Sequence, residues 1–591
     1  MKEKSRSEIS KEFQWDLTKI FKTDGDWETE YKNLEEIIPT IGAYKYTLSD
    51  TENLHKCLTL LEEISLRFER NYLYVSLKHH EDTGNTVYQG LMDRGTKLAT
   101  KFSSSVSFID SELLSLDENF IKTLISTDDR FKKYAHYFDD LYRVKNHILS
   151  PEMEEILARA SEMAESAENI FSSLNDADMT FESVIAKDGT EHLLTHGRYD
   201  VLIRHEDRDI REKAYKSSYK SYINLKNTFA TIYSSNVKKD LFFSQAKNYN
   251  STMEAALSAN NIPIDVYKNL IKACEKYLPV MHKYVDIRKK RLGLDEIHFY
   301  DLYTPIVKDV DAKYTYEQGK ELILEGLSVL GEDYINTVKY GLSNGWIDVY
   351  ENKGKRSGAF SSGAYKTEPY ILLNYNDSLD NVFTLAHEMG HSMHSYNTWQ
   401  TQDYIYGDYS IFVAEVASTV NEILLLHHLL DNTKDAKFEE YLINHYVEQF
   451  RTTVFRQVMF AEFEMITHEM NQNGEPLTVD SLCEVYGNLN RKYYGNDIVI
   501  DDEIKMEWAR IPHFYYRFYV YQYATGFSAA VALSEKILNK EENALENYLE
   551  FLKSGSSDYP INVLKKAGVD MSKQESAEKA LEVFKTFVDK L

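Results

Sequence analysis

Apolar residues recur at three- and four-residue spacing along most of the chain, and that period predicts helices. Before residue 190 it predicts them over 27–38, 53–74, 85–116, 128–145 and 151–174. Pro151 suits the first turn of its helix, with Ser150 as the cap. Beyond 190 the period returns over 209–245, 263–292, 381–396, 411–430, 436–472 and 478–494, and helices close the chain. Two stretches break it. Residues 180–204 carry Val, Ile and Phe around an Asp188-Gly189 turn, which predicts a β-hairpin. Residues 341–376 predict a strand at 370–375 and allow one at 346–350. The Gly/Ser-rich loop between them, Gly354 to Tyr365, reads either as a mobile lid or as an ordinary surface loop. A strand just before the next helix offers an edge to which an extended peptide could add, or it merely braces that helix.

With 24 Gly and 9 Pro in 591 residues, breakers are few, as long helices require. The length exceeds one ordinary core, and the hairpin marks an expected boundary: an N-terminal helical lobe over 1–190 and a second domain over 191–591. A net charge of −26 argues against nucleic acid or an anionic membrane as partner, because phosphate would be repelled. Cys57, Cys274 and Cys483 are too sparse for a disulfide framework or a cysteine zinc site. The opening segment has no apolar signal core, and no window approaches eighteen consecutive apolar residues. A cytoplasmic protein is the expectation.

The chemistry concentrates at 384–394, TLAHEMGHSMH. Within it lies His387-Glu388-Met389-Gly390-His391. On a helix, two histidines four apart share a face, and their neutral imidazoles can grip one Zn²⁺. Glu388 between them is placed to take a proton from an attacking water. The chain holds its own control: His468-Glu469-Met470 begins alike but continues Asn471-Gln472. Catalytic zinc takes three protein ligands and leaves a fourth place for water. The candidate third ligand is Glu415, 24 residues past His391 in the apolar run 412–422. An acid on such a face is costly unless paired or bound to a cation. Glu422, on nearly the same face, reads as a supporting partner. His394 is then surplus and reads as packing or support. Gly390 suggests that something approaches the helix closely. The other His/acid cluster, His79 to Asn85, lacks ligand spacing and reads as a solvated loop. By composition, the aromatic run 508–530 reads as packing.

HEMGHSMH followed by FVAEVASTVNE resembles the thimet oligopeptidase and neurolysin group of zinc metallopeptidases, whose pattern is H-E-x-G-H-x-x-H, then F-x-E-x-x-S-x-x-x-E. The opening Trp15-Asp16-Leu17, the GKRSGAF loop and the IPHFYYRFYVYQYATG stretch are similar in particular to its oligoendopeptidase F branch. The resemblance covers nearly the whole chain. It implies a mostly α, two-lobed metallopeptidase with a deep central channel, a small β-sheet beside the zinc helix and one zinc per chain. It also implies cleavage of short peptides, with intact proteins excluded. The family places a His and two Tyr, seven residues apart, around the substrate carbonyl. His513, Tyr516 and Tyr523 match. His513 stands only three before Tyr516, where thimet-like members have a longer glycine-containing gap, so Tyr519 competes with Tyr516.

The expected function is hydrolysis of internal peptide bonds. His387, His391 and Glu415 would be the zinc ligands, Glu388 the general base, and Tyr523, His513 and Tyr516 the groups facing the oxyanion. A non-hydrolytic peptide-binding protein of the same fold and a helical zinc carboxypeptidase are the alternatives. Short peptides are the expected partners, and the expected state is a monomer or weak homo-oligomer.

Overall fold

The computed structural model describes residues 4–307 and 313–591. Helices dominate, and the described sheets have only two or three strands. The contacts divide into two units, each assembled from separate stretches. The first comprises Met1–Lys145, Ala312–Asp431 and Leu533–Gly568; the second comprises Asn146–Asp311, Asn432–Ala532 and Val569–Leu591. Residues 146–190 therefore pack within the second unit, and the contacts do not divide at 190.

In the first unit, the helix Thr51–Glu81 starts where Asp50 accepts a hydrogen bond from the Asn53 N–H, and it runs about two turns past the predicted end. Thr86–Val106 packs along it. Trp27, Leu34, Ile38, Leu54, Cys57, Ile64 and Val75 are buried in the core around these helices. The period alone joined 85–116 into one helix, but the chain breaks at Ser107 before Phe108–Ser115.

A three-stranded sheet follows: β1 (Ile347–Asp348), β2 (Phe360–Ser362) and β3 (Tyr370–Leu372). The order is β1-β3-β2, with β1 parallel and β2 antiparallel to β3. All three β3 residues are buried, which explains an apolar run without alternation. The stretch read as a Gly/Ser loop thus contains the edge strand β2. Phe-Ser-Ser carries no strand pattern, and among the described residues it pairs on one side only.

The loop before β2 is clamped at its base. Asp348, fully buried, receives Lys355 Nζ at 2.7 Å and Arg6 Nη2 at 2.5 Å. Lys355 also donates to the Tyr350 carbonyl at 2.7 Å. The Arg356 N–H donates to the His80 carbonyl at 3.0 Å, and Arg356 Nη1 meets His80 Nε2 at 2.9 Å. The cluster expected as a solvated loop is therefore a helix end: His79 and His80 are half-buried in the last turn of Thr51–Glu81. Burial, then the Arg356 charge, pushes His80 down to about 4.

In the second unit, Val184–Ile185 pairs with Glu191–His192 across the Asp188-Gly189 turn, where Gly189 takes φ +87°. A second pair, Ile297–His298 with Ile498–Val499, is parallel and too short to leave a sequence pattern. Ile264–Arg291 packs lengthwise on Gln574–Val588. A π-turn at Phe450–Phe455 interrupts the predicted helix 436–472. Tyrosines of the second unit are buried with their hydroxyls bonded: Tyr215 to Asp501, Tyr222 to Asn175, and Tyr233 with Thr467, each at 2.7 Å. Among the described residues, no helix is long and apolar enough to cross a membrane.

The clamp sets a stability expectation. Asp348→Ala leaves Lys355 and Arg6 without their buried acceptor and should cost about 3–5 kcal/mol in urea unfolding. A loss within experimental error would show that the charges find water instead.

Candidate active site

Two helices of the first unit build the site: α1 (Leu379–Thr401) and α2 (Ile411–Asn432). Ser378 starts α1 by accepting a hydrogen bond from the Asn381 N–H at 3.2 Å. The helices touch at Gly390, where a Cβ would lie 2.5 Å from Ser418 Cα and 2.6 Å from the Ala417 carbonyl oxygen. No side chain larger than hydrogen fits that crossing. Asn421 is fully buried: its Nδ2 donates to the Ala386 carbonyl at 3.1 Å, and its Oδ1 accepts from the Tyr334 hydroxyl at 2.9 Å. This contact was not foreseen; its one trace in sequence is a polar residue inside an apolar run.

The crossing brings Glu415 and Glu422 to the histidine face of α1. His387 Nε2 and His391 Nε2 stand 3.2 Å apart, with Glu415 Oε2 at 3.4 Å from the first and 3.5 Å from the second. Three tetrahedral ligands about 2.05 Å from one Zn²⁺ would be about 3.3 Å apart. The donor triangle has that size. Among the described residues, these three form the one group of His, Cys, Asp and Glu with ligand spacing. His387 Nδ1 donates to Glu422 Oε1 at 2.6 Å, which leaves the Nε2 lone pair for a metal. Burial opposes the Glu415 carboxylate, but the hydrogen bonds and charge of His387 and His391 prevail and hold it well below the usual range. Glu388 is buried, 6% exposed, and burial raises its pKa against the opposing pull of the two histidines.

His394 is no part of the triangle. It is buried, stacked on Tyr409 at 3.7 Å with 7° between the rings, and pushed down to about 3 by burial.

The aromatic candidates form a second cluster, in the second unit. His513 sits on the short turn Pro512–Tyr515, and Tyr523 near the start of Tyr521–Leu538. The Tyr523 hydroxyl and His513 Nε2 are 3.3 Å apart. Tyr516 and Tyr519 both flank the imidazole, with ring centroids 5.8 and 6.1 Å away. Tyr516 is 47% exposed. Between the two tyrosines, Arg517 and Phe518 take φ +44° and +55°, a strained pair for non-glycine residues. One hydrogen bond holds the bend: the Phe518 N–H donates to Glu464 Oε1 at 2.9 Å. Glu464 is wholly buried, and burial, with the Asp240 charge, raises it to about 8 against that hydrogen bond. Phe518 packs on His468 at 4.7 Å. The stretch rejected as a metal motif, His468-Glu469-Met470, thus belongs to the helix that supports the tyrosine bend.

Comparison with known proteins finds matches along nearly the whole chain. The model of peptidase family M3 matches residues 201–583, and that described as oligopeptidase F matches residues 112–181. Oligopeptidase PepF of Bacillus subtilis is 49% identical over 587 residues, 99% of this chain and 88% of that protein. Group B oligopeptidase PepB of Streptococcus agalactiae is 43% identical over 98% of this chain and 96% of its own length. The crystal structure of oligoendopeptidase-F from Enterococcus faecium superposes with a TM-score of 0.75 at 38% identity, covering 96% of this chain and 98% of that one. A Chlamydophila abortus protein classed as a peptidase gives a TM-score of 0.94 at 39% identity over 100% of this chain and 99% of that one.

Glu422→Gln loosens His387 without removing a donor from the triangle. Divalent-metal affinity, measured by chelator competition, should fall about 10–100-fold; an unchanged affinity would leave Glu422 without that role. A second expectation concerns Glu464. Its folded pKa, about 8, lies above that of an unfolded carboxylate. Its contribution to stability is therefore complete below about pH 4.3 and lost as pH rises through the folded value. Asp240, facing it and raised to about 6 by burial against Lys239 and Arg517, adds to the same decline. In Glu464→Gln, stability from urea unfolding should fall less steeply between pH 5 and 8 than in the parent. Equal slopes would contradict this.

Proposed function

This chain belongs to peptidase family M3, and from that premise we propose a zinc-dependent endopeptidase that cuts internal bonds of short peptides. The donor triangle of His387, His391 and Glu415 carries the reading: its edges suit a small tetrahedral cation, and its nitrogens suit zinc. When bound, zinc supplies Lewis acidity, lowering the pKa of a water towards ~7 and polarising the scissile carbonyl. His387, His391 and Glu415 hold the ion, and Glu422 keeps the His387 tautomer that leaves Nε2 free to do so. Glu388 takes the proton of the attacking water and returns it to the leaving amine. Burial raises its pKa above the ordinary carboxylate value, which favours the half of that exchange in which it holds the proton. Tyr523, oriented by His513, and Tyr516 supply hydroxyls to the developing oxyanion, with Tyr519 as the alternative to Tyr516. The free edge of β2 takes the peptide as an added strand, through main-chain hydrogen bonds that do not depend on its sequence. The oligopeptidase names of the relatives support short peptides as substrates. Three free cysteines and the acidic composition fit action in the cytoplasm.

Glu388→Gln should retain metal and lose about 10²–10⁴-fold in kcat on a quenched fluorescent peptide. A chelator should abolish turnover of the parent, and zinc should restore it. Mass spectrometry of the products should show internal cuts. Full activity in Glu388→Gln would overturn the base assignment, and stepwise loss of terminal residues would replace the endopeptidase reading with a carboxypeptidase.

A further inference from the structure

A cavity of about 490 Å³ opens in the first unit where Ser362 ends β2 and the chain turns through Gly363 and Ala364. Five rings line it: Phe68, Tyr72, Tyr365, Trp399 and Tyr404. Three have their polar ends tied back. The Tyr365 hydroxyl donates to the Gln402 carbonyl at 2.6 Å, the Trp399 indole to the Gly407 carbonyl at 2.9 Å, and the Tyr404 hydroxyl to Glu69 at 2.5 Å. The rest of the wall offers aromatic surface, Ser76, Ser362 and two carboxylates, Glu69 and Asp408. Among the described residues neither acid has a basic partner. Burial raises the pKa of Glu69, and the nearby charge of Asp408 raises it further, against the hydrogen bond from Tyr404. Glu69 is half-buried without a counter-charge, Asp408 is exposed beside it, and the ring faces attract cations, so the site suits one positive group. One of these rings already has an ammonium against it, Lys366 Nζ lying 5.2 Å from the Tyr365 centroid.

The cavity lies along the course proposed for the peptide. The Ser361 and Ser392 hydroxyls share a hydrogen bond of 2.8 Å, one residue past His391. Two residues on, a Cβ at Gly363 would lie 2.3 Å from the Trp399 ring. The end of β2 thus follows α1 from the level of the metal ligands to the level of the cavity. From Ser392 to Trp399 is about 10 Å at 1.5 Å per residue. An extended peptide at 3.3 Å per residue covers that in about three residues.

We propose that this cavity is a subsite for a cationic group of the substrate, an ammonium or guanidinium about three residues from the bond that is cut. The group is either the free amino terminus of the peptide or a Lys or Arg side chain. This rests on the peptidase reading of the same unit.

The test uses dye-labelled peptides of one sequence, with a free or acetylated amino terminus and with Lys or norleucine at each position two to four residues either side of the cut. Binding is measured first, in the zinc-loaded Glu388→Gln protein, so that the result does not depend on turnover. One cationic peptide should bind about tenfold or more tightly than its neutral partner, as expected for a hydrogen bond to a charged group. If acetylation removes the preference, the group is the amino terminus; if norleucine does, it is the side chain. Glu69→Gln, which keeps an acceptor for Tyr404, and Asp408→Asn on the same background should each reduce that ratio several-fold. In the catalytically intact protein the same ratio should appear in kcat/KM, through KM. Equal binding of all peptides, or a preference untouched by both substitutions, overturns the subsite. Charge-selective binding without any hydrolysis by the parent would overturn the peptidase reading and leave the subsite standing.

Discussion

The close crossing of α1 and α2 at Gly390 is the constraint on which the site depends. A helix pair separated by ordinary side chains would hold Glu415 and Glu422 farther from the imidazoles. Here a missing Cβ lets the Ser418 backbone sit against α1, and the two glutamates, seven residues apart on one face, reach the two histidines. Glycine weakens a helix interior by about 1 kcal/mol relative to alanine. The buried bond from Asn421 to the Ala386 carbonyl and the apolar packing of α2 offset that cost. The crossing also explains an imbalance in the chemistry. Glu415 faces both ligand nitrogens and is held ionised, whereas Glu388, in the buried wall of the same pair, is pushed towards protonation. One packing event thus gives two carboxylates opposite tendencies, as the proposed roles of ligand and proton carrier would need.

The sheet is the second dependency. β1 and β3 are buried and fix the level of the edge strand beside α1, while β2 pairs on one side only. Edge strands invite unwanted pairing. This one is three residues long, and the loop leading to it is anchored through Lys355, Asp348 and Arg6. A mobile lid at Gly354 to Tyr365 would sacrifice that fixed edge. The glycines permit motion, and the buried ion pairs restrain it.

Much of this was legible in sequence because it follows from period and spacing. The helices carry their 3.6-residue pattern, and His387, Glu388 and His391 declare themselves by separation alone. Glu415 was readable as an acid too costly to bury without a partner. What stayed hidden depends on groups distant in sequence. β2 has no alternation, and among the described residues its strand partner is β3 alone; His80 is set by Arg356, 276 residues away. The breaks at Ser107 and Phe450–Phe455 leave the apolar period intact, so period cannot find them. Contacts that return a distant segment to an earlier one, as 533–568 does to the first unit, leave no local signal.

The two His-Glu-Met stretches show how far a motif can be trusted. At 387 the second histidine, the glycine crossing and two acids of the next helix converge on one point. At 468 the same opening lacks all three, yet its helix is not inert. His468 packs on Phe518, and Glu464, one turn earlier, accepts the Phe518 N–H that keeps two residues in left-handed conformations. Without that acceptor the bend would lose a buried hydrogen bond at the residue where strain is stored, beside the tyrosines that flank His513. The geometry of a hydroxyl donor group can therefore rest on a buried acid that touches no reacting atom, and such an acid is found by following the strained backbone to what holds it rather than by searching for motifs.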